Sequence, residues 1–175
     1  MTDSVREAMS GLSATLPKIL RLAQEAIPFD KGAIHLIQGD SLRTHAVLVR
    51  SDLLADVDIQ DARLSLDEGF CAHVAREGKL FLSPVVSEET RVRPARDSGS
   101  NLDMQSFLGL PLRWEGAVIG VLEMDSLTPR FFQPRHVELA EVVADQAAIA
   151  IVNARLAEDR QRLTQMSRAL GASLD

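Results

Sequence analysis

The sequence predicts an α+β fold in which antiparallel hairpins build the sheet and helices stand at both ends of the chain. Three observations carry this expectation. Apolar residues near both termini recur in steps of three and four, as a helix requires. Two pairs of short apolar runs are each joined by a tight Gly-containing turn, as a hairpin requires. Between the hairpins lie a short helix–strand unit and then a long irregular stretch.

The first stripe is Val5, Met9, Leu12, Leu16, Ile19, Ala23 and Ala26. Gly11 and Pro17 interrupt it, which predicts a loose N-terminal turn and a firmer helix from about Ser13 or Thr15. Thr15 would cap that helix, and Pro17 would fall in its first turn, where a missing N–H costs nothing. Pro28 and Asp30 end it. Residues 32–37 (GAIHLI) and 42–49 (LRTHAVLV) read as strands across a Gly39-Asp40 turn. From Ser51 to Leu66 the chain is polar and aspartate-rich without a period, and is expected to be mostly loop.

Asp67 to Glu77 reads as a short helix capped by Asp67 and stopped by Gly78, with Phe70, Val74 and Ala75 facing inward. Lys79–Leu82 is a brief strand. Residues 83–104 hold Pro84, Pro94 and Gly99 and show no pattern; so long a loop in a compact domain serves as a lid, a binding loop or a disordered segment. Ser106–Trp114 and Ala117–Asp125 are strands across a Glu115-Gly116 turn. Both of their faces are apolar, so the sheet is expected to be covered on two sides. Pro111 points to a bulge or an unpaired edge. Pro134 opens a helix running to about Leu170, with an alanine seam at Ala140, Ala144, Ala147, Ala150/Ile151 and Ala154 that permits close packing.

The far half of that helix is the most telling feature. Ile149, Val152, Leu156, Asp159, Leu163, Met166 and Leu170 alternate steps of three and four, and only Asp159 breaks the apolar seam. Arg155, Glu158, Arg160, Arg162 and Arg168 surround it. A helix projecting ~20 residues past its domain has nothing of its own to pack on. This predicts a homodimer through the terminal helices; the competing reading folds the helix back along the N-terminal one.

Composition excludes several functions. A net charge of −6 argues against a nucleic-acid partner, which wants a basic face. Only 4 % of residues are aromatic, so stacking platforms for bases are scarce. One cysteine rules out a disulfide framework and, with four scattered histidines, gives no zinc motif. Without a long apolar run or a signal-peptide core at residues 1–12, the expectation is a cytoplasmic chain with no membrane segment.

The segment SFLGLPLRWEGAVIGVLEMDS, the Phe-Phe-Gln-Pro-Arg stop and ELAEVVADQAAIAIVNARL together resemble the C-terminal signature of a GAF domain. DEGFCAHVAREGKLFLSPVV resembles that family's middle helix and third strand, and FDKGAIHLI its first strand. The resemblance covers roughly residues 12–157. It implies a six-stranded antiparallel sheet, with the terminal helices on one face and a small-ligand pocket under the middle helix and long loop on the other. It further implies a sensory rather than catalytic role within a longer signalling protein such as a histidine kinase or a cyclic-di-GMP enzyme. Residues 1–157 would then be the GAF domain, and 158–175 a signalling helix leading to a downstream output module.

Subfamily motifs narrow the ligand. Cyclic-nucleotide GAF domains carry an Asn-Lys pair and a Phe separated by three residues from Asp-Glu; here Phe132 leads to His136-Val137 and no Asn-Lys exists. Bilin attachment uses a cysteine in the long loop or later helix, whereas Cys71 lies in the middle helix, where His73 points about 200° away. A small buried hydrophobe is the plainer reading of Cys71. The free methionine sulfoxide reductases of this fold need a pair of thiols, and Cys71 has no partner. His35 and His45 would lie nearly opposite across the first turn, and with a carboxylate could hold iron; hydrogen-bonded or solvated strand residues are the alternative. No metal site is therefore expected, the motifs support neither bilin, cyclic nucleotide nor haem, and the identity of any cofactor stays open.

The long loop places Arg91, Arg93 and Arg96 within six residues, beside the implied pocket. Arginine forks suit a carboxylate or phosphate, although Glu88, Glu89 and Asp97 could neutralise them. The expected lining is Phe70, Val74, Phe81, Met104 and Phe107, with Arg91 and Arg93 at its edge, suited to a small organic ligand with one anionic end.

Overall fold

The computed structural model describes residues 3–56, 62–93 and 103–172, with the backbone alone for 3–11, 54–56 and 171–172. Helix α1 spans Asp3–Ala26 and is followed by strands β1 (Lys31–Gln38) and β2 (Ser41–Val49). A 3-10 turn at Ser51–Asp56 precedes β3 (Arg63–Ser65), α2 (Phe70–Glu77) and β4 (Phe81–Ser83). A second 3-10 turn (Val86–Glu88) leads towards β5 (Ser106–Trp114), β6 (Ala117–Ser126) and α3 (Pro134–Ala172).

The six strands form one antiparallel sheet in the order β3-β2-β1-β6-β5-β4. The two hairpins lie side by side, joined by β1 on β6, with Lys31 opposite Asp125 and His35 opposite Val121. Glu115 and Gly116 both take positive φ, 49° and 82°, as a two-residue turn matched to strand twist demands. Gly120 has a different reason to be glycine. A Cβ there would lie 2.3 Å from the carbonyl oxygen of His35, so the β1–β6 pairing admits no side chain.

Both sheet faces are covered. Leu16, Leu20, Ile34, Leu108, Leu122 and Met124 form the main core under α1 and α3, where Ala140, Ala144, Ala147 and Ile151 are buried as the alanine seam predicts. On the other face, Leu42, Phe70, Cys71, Val74, Ala75, Phe81, Phe107 and Val121 form a smaller core beneath α2.

Several sequence expectations are corrected. Helix α1 runs unbroken from Asp3 with Pro17 inside it, so neither a loose turn nor a Thr15 cap exists. Packing of Leu12, Leu16, Leu20 and Ala23, all buried, outweighs the one backbone bond that Pro17 forgoes. The 51–66 segment is not mostly loop, since it supplies a 3-10 turn and the edge strand β3 on β2. Helix α2 begins at Phe70 after Gly69 (φ 96°), and no side chain caps it; Asp67 lies outside and its N–H donates to Ser65 Oγ at 3.0 Å. The brief strand is Phe81–Ser83 rather than Lys79–Leu82, because pairing with Phe107–Gly109 of β5 sets its limits. Pro111 lies beyond β4, where β5 has only β6 beside it, one residue before a bulge at Leu112/Arg113. The expectations for Arg96 and Asp97 lie outside the described residues.

Candidate functional site

The α2 side of the sheet is apolar at its centre and charged towards β1. Alternation places Lys31 and His35 of β1, and Val121, Glu123 and Asp125 of β6, on this face. All five are buried. Lys31 Nζ pairs with Glu123 Oε1 and lies 3.0 Å from Asp125 Oδ2. The other Glu123 oxygen, Oε2, lies 2.6 Å from His35 Nε2 and accepts from Cys71 Sγ at 3.3 Å. His35 Nδ1 is 3.0 Å from Thr44 Oγ1 on β2. Three elements, β1, α2 and β6, thus meet at one glutamate carboxylate, and β2 joins through His35.

Burial and charge pull these groups in different directions. Burial alone would lower Lys31, but Asp125 and Glu123 raise it above the ordinary lysine value. Burial would raise Glu123, yet the Lys31 ammonium and the His35 bond hold it well below the carboxylate range. Asp125 goes the other way, pushed well up by burial despite Lys31. The Cys71 thiol is also pushed up, first by burial and then by the Glu123 charge, and so is kept protonated.

The predicted lining residues divide into two groups. Phe70, Val74, Phe81 and Phe107 come together, but mainly with one another: ring centroids are 4.9 Å apart for Phe70–Phe107 and 5.4 Å for Phe70–Phe81. Arg91 lies 4.7 Å over the Phe81 ring. Its guanidinium is already engaged, with Nε and Nη2 donating to the two Glu89 oxygens at 2.9 and 2.6 Å and Nη2 to the Leu82 carbonyl at 2.9 Å. Those bonds hold Glu89 down at about 2. Arg93 is exposed and Met104 half-buried.

His35 and His45 are not brought together. A bulge after Ile34 pairs His35 with Thr44 and leaves His45 outside the register. His35 turns inward, while His45 Nε2 lies 3.3 Å from Gln38 Nε2 on the exposed side. Cys71 is buried as expected, but in contact with a carboxylate rather than as a simple apolar filler. Sequence reasoning missed Lys31, Thr44, Glu123 and Asp125. The signal for Glu123 and Asp125 was a pair of charged residues two apart inside an apolar strand run of a sheet covered on both faces, where each must find a partner.

On the opposite face, α3 continues past the sheet. Of the predicted dimer residues, Ile149, Leu156, Leu163, Met166 and Leu170 are exposed, and Val152 is buried within its own chain. Val142, also exposed, extends the line, so that Val142, Ile149, Leu156, Leu163 and Leu170 recur every seven residues. No helix among the described residues is long and apolar enough to cross a membrane.

The fold is thus a six-stranded antiparallel sheet with the terminal helices on one face and a short helix over the other. The chain belongs to the GAF domain family, whose sequence model matches residues 10–152. It is similar to a probable 3′,5′-cyclic phosphodiesterase of Caenorhabditis elegans, with 20 % identity over 94 % of this chain; the match spans 24 % of that protein's length. Its fold is like that of the GAF domain of a phosphoenolpyruvate-protein phosphotransferase from Coxiella burnetii (TM-score 0.71, 19 % identity, covering 83 % of this chain and 84 % of that one). It is also like a type II free methionine-R-sulfoxide reductase from Thermoplasma acidophilum (TM-score 0.67, 16 % identity, 82 % and 94 % covered).

Proposed function

We propose that this GAF domain is a small-molecule-sensing regulatory module of a multidomain sensor such as a histidine kinase or a cyclic-di-GMP enzyme. It works as a homodimer and passes its ligand state along α3 to a downstream output domain. The carrying observation is the continuity of α3: the buried Ala140–Val152 part and the exposed Leu156–Leu170 part are one helix. Apolar residues repeating every seven positions on an exposed face suit pairing with a second copy. The ligand site would lie at the α2 face, edged by Phe70, Val74, Phe81, Met104, Phe107, Arg91 and Arg93.

The contacts among Phe70, Phe81 and Phe107 favour a second reading, a dimerisation domain without a ligand. A reductase role is disfavoured by a single, buried thiol whose proton is held. Native mass spectrometry of the purified chain separates the readings. A dimer carrying a co-purified small molecule supports sensing; a dimer that carries none, and whose melting point no metabolite shifts, supports the second reading. A monomer at all concentrations overturns both.

A further inference from the structure

The buried charged cluster includes three donor atoms that metal ions favour. His35, Cys71 and Glu123 come from β1, α2 and β6, and their donor atoms all lie within 4.8 Å of one another. We propose that these three residues bind one divalent transition-metal ion of the zinc, cobalt or iron(II) kind, through His35 Nε2, Cys71 Sγ and Glu123 Oε2. This inference does not depend on the sensing or dimer reading.

Imidazole, thiolate and carboxylate together suit a borderline ion rather than magnesium or calcium, which prefer oxygen alone. The surroundings are organised for it. Thr44 Oγ1 engages Nδ1 of His35, which fixes the ring so that Nε2 faces the cluster. Lys31 holds the other Glu123 oxygen, leaving Oε2 turned towards His35 and Cys71. Outer partners of this sort orient ligands in metal sites generally.

Binding requires two local changes. The 2.6 Å His35–Glu123 contact must open, with the imidazole proton residing on Nδ1 and directed at Thr44. Cys71 must give its thiol proton to solvent as the sulfur–metal bond forms, with no change in oxidation state. Three protein ligands leave a tetrahedral ion one position for water or a small external donor.

The test is titration of the intact chain with cobalt(II), followed by near-ultraviolet absorption and equilibrium dialysis. A thiolate-to-cobalt charge-transfer band saturating at one ion per chain is expected, lost on addition of zinc. Cys71→Ser should abolish the band, and His35→Gln should weaken binding by about tenfold or more. Circular dichroism on both variants establishes that they fold. No charge-transfer band in the folded wild-type chain overturns the assignment, without reference to any variant's stability.

Discussion

Cys71 in the first turn of α2 and His35 in the middle of β1 share one partner, Oε2 of Glu123, at 3.3 and 2.6 Å. The second core therefore has a polar floor: its apolar residues cover a carboxylate whose charge is offset by Lys31 from the adjoining strand.

Lys31 is the cation on which that arrangement rests. Lys31→Met should destabilise the domain by about 3 kcal/mol at pH 7, because it leaves the Glu123 charge buried beside Asp125. Glu123 is depressed in the folded state, so its contribution is present above the ordinary glutamate value and lost on acidification through its folded value. Urea unfolding at several pH values should show the gap between wild type and variant narrowing on the acid side. A pH-independent gap would mean that Lys31 acts through packing.

His136, buried at the start of α3, stacks on Phe131 at 5.3 Å and accepts from the Gln133 N–H at 3.3 Å. Burial first, and Arg135 second, lower its pKa below 6.5. A base depressed on folding binds fewer protons than in the unfolded chain, so stability is full above pH 6.5 and falls as the pH drops towards the folded value. Thermal melts between pH 8 and 5 should show this slope, and His136→Asn should flatten it.

Leu163 is 67 % exposed, so a charge there does not touch the domain's own core. Leu163→Asp should convert a dimer to a monomer in sedimentation while far-ultraviolet circular dichroism keeps its helical signal. A dimer that survives the substitution unchanged places the interface elsewhere.

Phe107 is buried against Phe70 and Phe81. Phe107→Ala should cost about 3–4 kcal/mol through the cavity it leaves, whereas Phe107→Leu should cost less than about 1.5 kcal/mol. If Phe107→Ala costs under about 1 kcal/mol, the residue lines open space instead of a packed core.

The frame was legible because period and turn chemistry are local. Gly39-Asp40 and Glu115-Gly116 each mark a hairpin, and the alanines from Ala140 to Ala147 mark the seat of α3. Edge elements were less legible. Arg63–Ser65 is a strand only because β2 offers it three pairings, and α2 starts at Gly69 by backbone conformation instead of by a capping side chain. The charged cluster was the least readable part. Lys31 and Glu123 are 92 positions apart, and nothing in either strand alone names its partner. The one-residue bulge after Ile34, invisible in composition, separates His35 from His45.

The 39-residue length of α3 has a mechanical consequence. At 1.5 Å per residue, the stretch from Val152 to Ala172 reaches about 30 Å beyond its last buried position. A tilt of about 5° where the alanines rest on the sheet would displace the far tip by about 2.6 Å. Sub-ångström repacking at the base is thereby amplified several-fold at the end of the arm. The geometric gain belongs to the helix itself, whatever supplies the initial push.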